Sequence, residues 1–261
     1  MPFALTQDGV RLYYEVTGAG EPLLLIVGQA NDQNIWNLIR GDFARRFQVI
    51  VYDPRGTGQS DKPEQPPYST RGFASDAVAI LDHLNLRRAH IYGISMGGAV
   101  GQWLGIDHAD RIGALVLACS TPGNAHGVPR SAEIQALLAQ PDQFKVLDTF
   151  FARRWALPRF FLSMRPSFKY PMPAYAEQLH ARASREHDSW EHLPAITAPA
   201  LVIHGGDDRV VPTANAHLLA ERIPGAEIYL VRKGRHMFFI EFRAEVNRVV
   251  KEFLGRHPLS S

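Results

Sequence analysis

A chain of 261 residues, with 46% hydrophobic and 21% charged residues, has the composition of a soluble globular protein and the length of one large α/β domain or of one domain with an insertion. The formal net charge is only +2, and the basic and acidic residues are intermixed, which argues against a nucleic-acid partner. No apolar stretch reaches the roughly 18 residues of a membrane span and the N-terminus has no signal-peptide pattern, so we expect a cytoplasmic protein without a membrane partner.

The first part of the chain is predicted to alternate strands and helices. Strands are expected at residues 11–16, 23–27 and 48–52, because these runs are apolar or alternate between apolar and polar residues. A short helix is expected at 36–47. Residues 70–84 form a clear amphipathic pattern with helical spacing. Such alternation is typical of a mostly parallel sheet with helices on both faces.

Residues 93–98 read Gly-Ile-Ser-Met-Gly-Gly and follow the apolar run 89–92. The residues after them have helical spacing, so the Gly-x-Ser-x-Gly motif lies between a predicted strand and a predicted helix. This arrangement is the nucleophile elbow, and it makes Ser95 the candidate catalytic nucleophile. Side chains in place of Gly93 or Gly97 would crowd the neighbouring strand and helix. The alternative interpretation is an ordinary glycine-rich turn.

The pattern changes in the second part of the chain. A strand at 114–119 contains Cys119, the only cysteine, which excludes an intramolecular disulfide or a thiolate metal cluster and which we expect to be a small core residue. Between about 122 and 194, prolines divide the chain into short helical pieces rich in aromatic residues. Strands at 200–204 and 227–231, helices at 213–222 and at the C-terminus, then restore the alternation. We therefore predict a core of residues 1–122 and 195–261 and an inserted helical lid of residues 123–194.

A serine nucleophile needs a general base, which is itself oriented by a third group. In parallel sheets the functional loops gather beyond the carboxyl ends of the strands. His236 follows the last predicted strand, and Asp207 and Asp208 follow the strand at 200–204; spacing alone does not separate the two aspartates. The other histidines, expected to be surface or satisfied core residues, are His83, His90, His108, His126, His180, His187, His192, His204, His217 and His257.

The elbow, the run Asp-Arg-Val-Val-Pro at 208–212 and Gly-Arg-His at 234–236 come in the order serine, acid, histidine. Over nearly the whole chain except the lid, this sequence resembles α/β-hydrolase fold enzymes. In that family an aspartate followed by two or three residues and then Val-Pro is commonly the triad acid, so the resemblance implies Asp208 rather than Asp207. Residues 53–60 also resemble the family's segment after its fourth strand, which shapes the loop beside the pocket.

The resemblance also implies an oxyanion hole formed by the backbone N–H groups of Met96 and Gln29. Many relatives have His-Gly after the third strand, whereas this chain has Val27-Gly28-Gln29. The glycine is kept and the donated N–H needs no particular side chain, so the hole should still form. The departure removes the local hydrogen bonds that a histidine would make.

Serine at the elbow favours acyl transfer over the alkyl-enzyme chemistry of dehalogenases and epoxide hydrolases of this fold, which use aspartate there. We therefore predict a hydrolase of carboxylic esters or lactones that works through Ser95, His236 and Asp208 and needs no metal or organic cofactor. Two alternatives remain open. One is cofactor-free perhydrolysis, as in haloperoxidase-like relatives with the same triad, and the other is a ligand receptor on a hydrolase scaffold.

The substrate is a small molecule that the sequence defines only coarsely. Residues 95–104 are similar to the elbow helix of 3-oxoadipate enol-lactone hydrolases, and residues 27–36 to methylesterases that act on polyketides. Gly28, Phe151 and Trp155 are the expected substrate contacts. The lid aromatics form either an apolar acyl or ring pocket or the lid's own core. The lid arginines either receive a substrate carboxylate or form a solvated face; they are Arg153, Arg154 and Arg165. The oligomeric state is not indicated.

Overall fold

The computed structural model describes residues 2–65, 68–139, 143–153 and 156–259. Within these residues, eight strands form one sheet in the order β1-β2-β4-β3-β5-β6-β7-β8. The strands are β1 Phe3–Leu5, β2 Arg11–Thr17, β3 Glu21–Ile26, β4 Phe47–Tyr52, β5 Ala89–Ile94, β6 Ile112–Ala118, β7 Ala200–Gly205 and β8 Glu227–Val231. The pairings of β1 with β2 and of β2 with β4 are antiparallel, and the remaining pairings are parallel. The predicted α/β fold with a mostly parallel sheet is confirmed.

Helices cover both faces of the sheet. The α-helices of the described residues are α1 Arg40–Phe43, α2 Thr70–His83, α3 Met96–Asp107, α4 Ala132–Leu138, α5 Gln143–Phe150, α6 Leu157–Met164, α7 Ala174–Arg185, α8 Ala214–Arg222, α9 Phe238–Glu241 and α10 Arg243–Gly255. Short 3-10 helices lie at Gln33–Leu38, Ala109–Arg111, Arg165–Lys169 and Trp190–Ala195. Three strands, β5, β6 and β7, are wholly buried because both of their faces are covered. This burial explains the unbroken apolar runs in their sequences.

The sheet separates two apolar cores. Side chains of β3 alternate between them, so that Leu24 packs in the core with Leu81 of α2, and Leu23 and Leu25 pack in the core with Phe253 of α10. Each core is closed by helices whose apolar face was visible in the sequence. The tight packing on both sides leaves the carboxyl edge of the parallel strands as the place where loops can gather.

One predicted helix was wrong in its extent. The expected helix at 36–47 is a 3-10 helix, Gln33–Leu38, followed by the single turn α1. The Asp32 carboxylate accepts a hydrogen bond from the Asn34 N–H at 2.9 Å and so begins the helical segment earlier than predicted. Phe47 belongs to β4, where it pairs with Glu21 of β3. Neither the short β1 nor α9 was predicted.

Helices α4 to α7 lie between β6 and β7 in the chain, and the described residues of this segment add no strand to the sheet. The ends of the segment meet, because Gly123 and Asp188 form an isolated antiparallel bridge and the Ser189 N–H donates to the Pro122 carbonyl at 2.9 Å. Such an entry and exit at one place is what an insertion into a core requires. We keep the term lid for residues 123–194, whose boundaries stay a prediction. Among the described helices, none combines the length and apolar character needed to cross a membrane.

Candidate active site

Ser95 stands on a strained turn between β5 and α3. Its backbone has φ 53° and ψ −119°, a conformation that non-glycine residues rarely adopt. A Cβ added to Gly93 would collide with the carbonyl of Gly97, and a Cβ added to Gly97 would collide with the carbonyl oxygens of Ile26 and Val27. The expected crowding of the elbow glycines is therefore confirmed. The turn lifts the serine hydroxyl out of the sheet at its carboxyl edge.

The candidate base and acid come from the next loops along that edge. Asp208 follows β7 and His236 follows β8, and these strands are parallel neighbours. Nδ1 of His236 lies 2.8 Å from Oδ2 of Asp208, and both side chains are buried. Asp207 is exposed, and its backbone N–H donates to the Gly234 carbonyl at 2.9 Å. The structure thus brings His236 together with Asp208 and leaves Asp207 at the surface.

Asp208 is held as a carboxylate by several donors. Oδ1 accepts the N–H groups of Val210 and Val211 at 2.9 Å and 3.0 Å, and Oδ2 also lies 3.4 Å from Nε2 of His204. Burial raises the pKa of Asp208, but the charge of His236 and the hydrogen bonds from both histidines outweigh burial and hold the pKa well below its ordinary value. An ionised acid is what a buried imidazole needs to be oriented and stabilised when it takes up a proton.

His204 was expected to be an ordinary core residue, and its contact with Asp208 was missed. The side chain is wholly buried at the end of β7, and its Nε2 lies 3.0 Å from the Val211 carbonyl oxygen, to which it donates. The signal in the sequence was the spacing of four residues between His204 and Asp208 across a tight turn.

Ser95 and His236 line one cavity of about 520 Å³. Gly28 and Gln29 line the same cavity, and a Cβ on Gly28 would lie 3.8 Å from the Ser95 Oγ, so the loop after β3 passes directly beside the hydroxyl. Among the described hydrogen bonds, His236 is joined to Asp208 and not to the Ser95 hydroxyl; bonds between nucleophile and base are often long until substrate binds. Within the described residues, the backbone N–H groups of Gln29 and Met96 donate to no other protein atom.

The walls of the cavity are mostly apolar and come from both the core and the lid. The Phe150 ring lies edge-on to the His236 ring, with centroids 5.6 Å apart. Phe151, one of the expected substrate contacts, lines the cavity, as Gly28 does. Trp155, the third, lies outside the described residues. Further apolar lining residues include Ile35, Val146, Leu147, Phe160, Val211 and Phe239.

Comparison with known proteins agrees with this geometry. A family model for the alpha/beta hydrolase fold matches residues 21–242. The chain belongs to the α/β-hydrolase fold family. It is 30% identical to 3-oxoadipate enol-lactonase 2 of Acinetobacter baylyi over 97% of this chain and 96% of the relative.

Two solved structures of α/β-hydrolases share the fold over nearly the whole chain. An esterase from Exiguobacterium antarcticum superimposes with a TM-score of 0.85, at 25% identity, over 96% of this chain and 98% of the other. Est816, described as an N-acyl homoserine lactone degrading enzyme, superimposes with a TM-score of 0.81, at 31% identity, over 97% of this chain and 100% of the other. The likeness therefore includes the lid as well as the core.

In this α/β-hydrolase the lid is joined to the loop that carries His236. The Met237 N–H donates to the Phe150 carbonyl at 2.9 Å, and the Glu241 carboxylate accepts the backbone N–H groups of Ala152 and Arg153. The Arg235 guanidinium donates to the Phe151 carbonyl oxygen at 3.1 Å. These contacts fix the wall of the cavity relative to the imidazole.

The arginine that lines the cavity is not one that the sequence singled out. Arg153 lies over the Phe242 ring at 4.2 Å from its centroid, Arg154 lies outside the described residues, and neither Arg153 nor Arg165 lines the described cavity. Arg130 does line it, and Arg130 forms no ion pair with the described side chains.

Proposed function

We propose that the protein is a serine-dependent hydrolase of carboxylic esters or lactones. The observation that carries the proposal is that His236, whose Nδ1 lies 2.8 Å from Oδ2 of Asp208, lines the same cavity as a serine on a nucleophile elbow. This is the arrangement of nucleophile, base and orienting acid that acyl transfer uses. The chemistry needs no metal or organic cofactor.

In the proposed cycle the Ser95 Oγ attacks the carbonyl carbon of the substrate. Nδ1 of His236 faces the carboxylate of Asp208 and carries the proton, which leaves Nε2 free to accept the proton of the serine hydroxyl. Asp208 holds the ring and stabilises the imidazolium that forms. The protonated imidazole then gives its proton to the departing alcohol oxygen, or to the ring oxygen of a lactone, as the C–O bond breaks.

The second half of the cycle repeats these roles with water. His236 takes a proton from water, which attacks the acyl-enzyme, and returns the proton to the Ser95 oxygen as the acid product leaves. In both halves the N–H groups of Gln29 and Met96 stabilise the oxyanion of the tetrahedral intermediate. Each such donor is worth about 3 kcal/mol in the transition state.

The cavity supports a substrate with an apolar acyl or alcohol group. A volume of about 520 Å³ suits a small molecule, and the aromatic lid residues Phe150, Phe151 and Phe160 supply apolar surface beside the proposed triad. The relatives named as an enol-lactonase and an esterase support the C–O bond as the one that is cleaved.

The proposal is tested by a panel of short esters, methyl esters, lactones and enol-lactones, run with the wild type and with Ser95→Ala. A fluorophosphonate should label the wild type at Ser95. Ser95→Ala should lose activity by about a million-fold, as removal of such a nucleophile typically does. Ser120→Ala is the matched control, because Ser120 is also buried near the elbow but does not line the cavity.

Two results would contradict the proposal. Esterase activity retained in a clean preparation of Ser95→Ala would exclude the mechanism. Halogenation that depends on peroxide and a carboxylate, and that is faster than hydrolysis of every ester tested, would assign the same triad to perhydrolysis.

A further inference from the structure

The loop that carries the proposed oxyanion donor Gln29 is strained and needs support. Ala30, the next residue, has φ 56°, in the left-handed region that favours glycine. On the other side, Gly28 lies against Ser95. A loop held in such a conformation keeps its shape only if the surrounding contacts determine it.

A histidine from the lid contacts this loop. His180 lies on α7 and is wholly buried. Its Nε2 lies 2.8 Å from the carbonyl oxygen of Arg55, and its Nδ1 lies 3.4 Å from the backbone nitrogen of Ala30. A carbonyl oxygen can only accept, so Nε2 carries the proton, and Nδ1 of the neutral ring accepts the Ala30 N–H. One side chain thus joins the loops that follow two neighbouring strands, β3 and β4.

The surroundings keep this ring neutral and in place. It packs against the rings of Tyr68 and Phe73, with centroids 5.7 Å and 4.9 Å away. Burial lowers the pKa of His180 to about 4. The anchor on the other side is rigid, because the Arg55 guanidinium is itself buried and forms ion pairs with Asp76 and Asp8.

We propose that His180 is a positioning residue for the oxyanion hole. By accepting the Ala30 N–H, it holds the adjacent Gln29 N–H where the oxygen of the tetrahedral intermediate forms. The inference rests on the proposed hydrolase function and adds to it that the lid completes the oxyanion hole. Acyl transfer then depends on a docked α7, and a lid that has moved away leaves the triad intact but the oxyanion loop unsupported.

Two substitutions separate the two hydrogen bonds of the ring. His180→Asn keeps an acceptor at the position of Nδ1 and loses the donor to Arg55. His180→Gln keeps a donor at the position of Nε2 and loses the acceptor for Ala30. His187→Gln is the matched control, because His187 is a second buried lid histidine that bonds Thr70 and Gln102 and does not contact the oxyanion loop.

The readouts are kcat, KM, the unfolding midpoint and the affinity for a trifluoromethyl ketone, which mimics the tetrahedral intermediate. His180→Gln should lower kcat on the order of 10- to 100-fold with little change in KM. This loss is smaller than the roughly 100- to 1,000-fold loss of kcat on deleting an oxyanion donor, because the Gln29 N–H is displaced and not removed. The affinity of His180→Gln for the ketone should fall by the same factor as its kcat. His180→Asn should be less stable than the wild type but should keep kcat within about three-fold of the wild-type value. His187→Gln should lower the unfolding midpoint and leave kcat unchanged.

A loss of kcat that follows the loss of stability in all three variants would overturn the inference, as would wild-type kcat in His180→Gln. Nitrogen NMR of the wild-type protein tests the premise without a substitution: the Nε2–H tautomer of His180 is expected, and the Nδ1–H tautomer would refute it. Comparison with Ser95→Ala distinguishes failure of the positioning role of His180 from failure of the proposed hydrolase function. If that variant is inactive and His180→Gln is not impaired, only the positioning role fails; if Ser95→Ala is as active as the wild type, both proposals fail.

Discussion

The core and the lid are stabilised by different kinds of contact. Around the elbow, strands β5, β6 and β7 are wholly buried, and the glycines of the turn leave no space for even one added carbon. The described part of the lid buries few large apolar side chains. Its fully or nearly buried apolar residues are Ile134, Phe151, Ala156, Ala176, Ala183 and Leu193.

Buried polar side chains join the lid to the core. Nδ1 of His187 lies 2.9 Å from the Thr70 hydroxyl of α2, and the Ser189 hydroxyl donates to Gln102 of α3 at 2.5 Å. His180 reaches the loops beside Ser95 in the same way. Because of this difference in contacts, the stability of the core should depend mainly on side-chain volume. The stability of the lid should depend mainly on hydrogen bonds and on the protonation of buried side chains.

After the loss expected for Ser95→Ala, the largest expected effect concerns Asp208, the proposed acid, which the core supplies to the site. Asp208→Asn should lower kcat by about 10,000-fold, because an amide cannot hold the imidazole in the productive tautomer. Steady-state kinetics on the best ester of the panel measures the loss. Asp207→Asn, at the exposed neighbouring position, should stay within a few-fold of the wild type. Similar losses in both variants would contradict the assignment of Asp208.

Gly97→Ala tests how strictly the elbow is packed. The added Cβ would meet the backbone carbonyl oxygens of Ile26 and Val27, which cannot rotate away, so the free energy of unfolding should fall by more than about 3 kcal/mol. Urea titration measures the change. Gly255→Ala is the control, because nothing lies within 4 Å of its added Cβ near the end of α10, and it should be neutral or stabilising by up to about 1 kcal/mol. Wild-type stability of Gly97→Ala would show that the elbow can relax.

As the pH is lowered, the lid should lose stability before the core does. Burial lowers the pKa of His180 and of His187 from 6.5 to about 4. As the pH falls below 6.5, the unfolded chain takes up protons that the folded lid does not, so the lid loses stability down to about pH 4. Each histidine contributes up to about 3 kcal/mol to this loss. Amide exchange of α7, corrected for its intrinsic pH dependence, should show this loss of stability as faster exchange at lower pH. In His187→Gln the loss between pH 6.5 and about 4 should be smaller.

Lowering the pH should have the opposite effect on the stability of the loop after β4. Burial raises the pKa of Asp53 to about 6, although the carboxylate accepts the N–H groups of Gln33 and Gln59. A folded state that takes up a proton more readily than the unfolded chain gains stability as the pH falls from about 6 toward 3.8, the ordinary pKa of the side chain. Exchange that slows in the core segments while it speeds up in α7 would support the contrast, and parallel loss of protection would refute it.

The smallest expected effect is on substrate preference. Arg130→Gln should lower kcat/KM about 10-fold for an ester whose acyl group ends in a carboxylate and should leave kcat/KM for its neutral isostere unchanged, because Arg130 lines the cavity without an ion pair to the described side chains. Competition assays with the two esters measure the ratio. Arg153→Gln is the control, since Arg153 lies over Phe242 outside the described cavity. Equal effects on both esters would exclude recognition of a carboxylate by Arg130.

Local pattern was sufficient for a mostly parallel sheet, for the succession of most strands and helices along the chain and for the candidate nucleophile. Apolar runs identify buried strands, and glycines around Ser95 identify a tight turn between a strand and a helix, because these requirements act over a few residues. The same reasoning placed His236 and two aspartates at the carboxyl edge. It placed the short helix at 36–47 wrongly, because the Asp32 cap and the entry into β4 decide its ends.

Only the folded chain decides which of the candidate groups face one another. The turn after β7 directs Asp208 inward and Asp207 outward, although the two are adjacent in sequence. His180 meets Ala30 across 150 residues and Arg55 across 125, and Arg130 lines the cavity where Arg153 does not. Contacts at such separations leave no periodic trace in the sequence, because they depend on how distant elements pack and not on the conformation of any one of them.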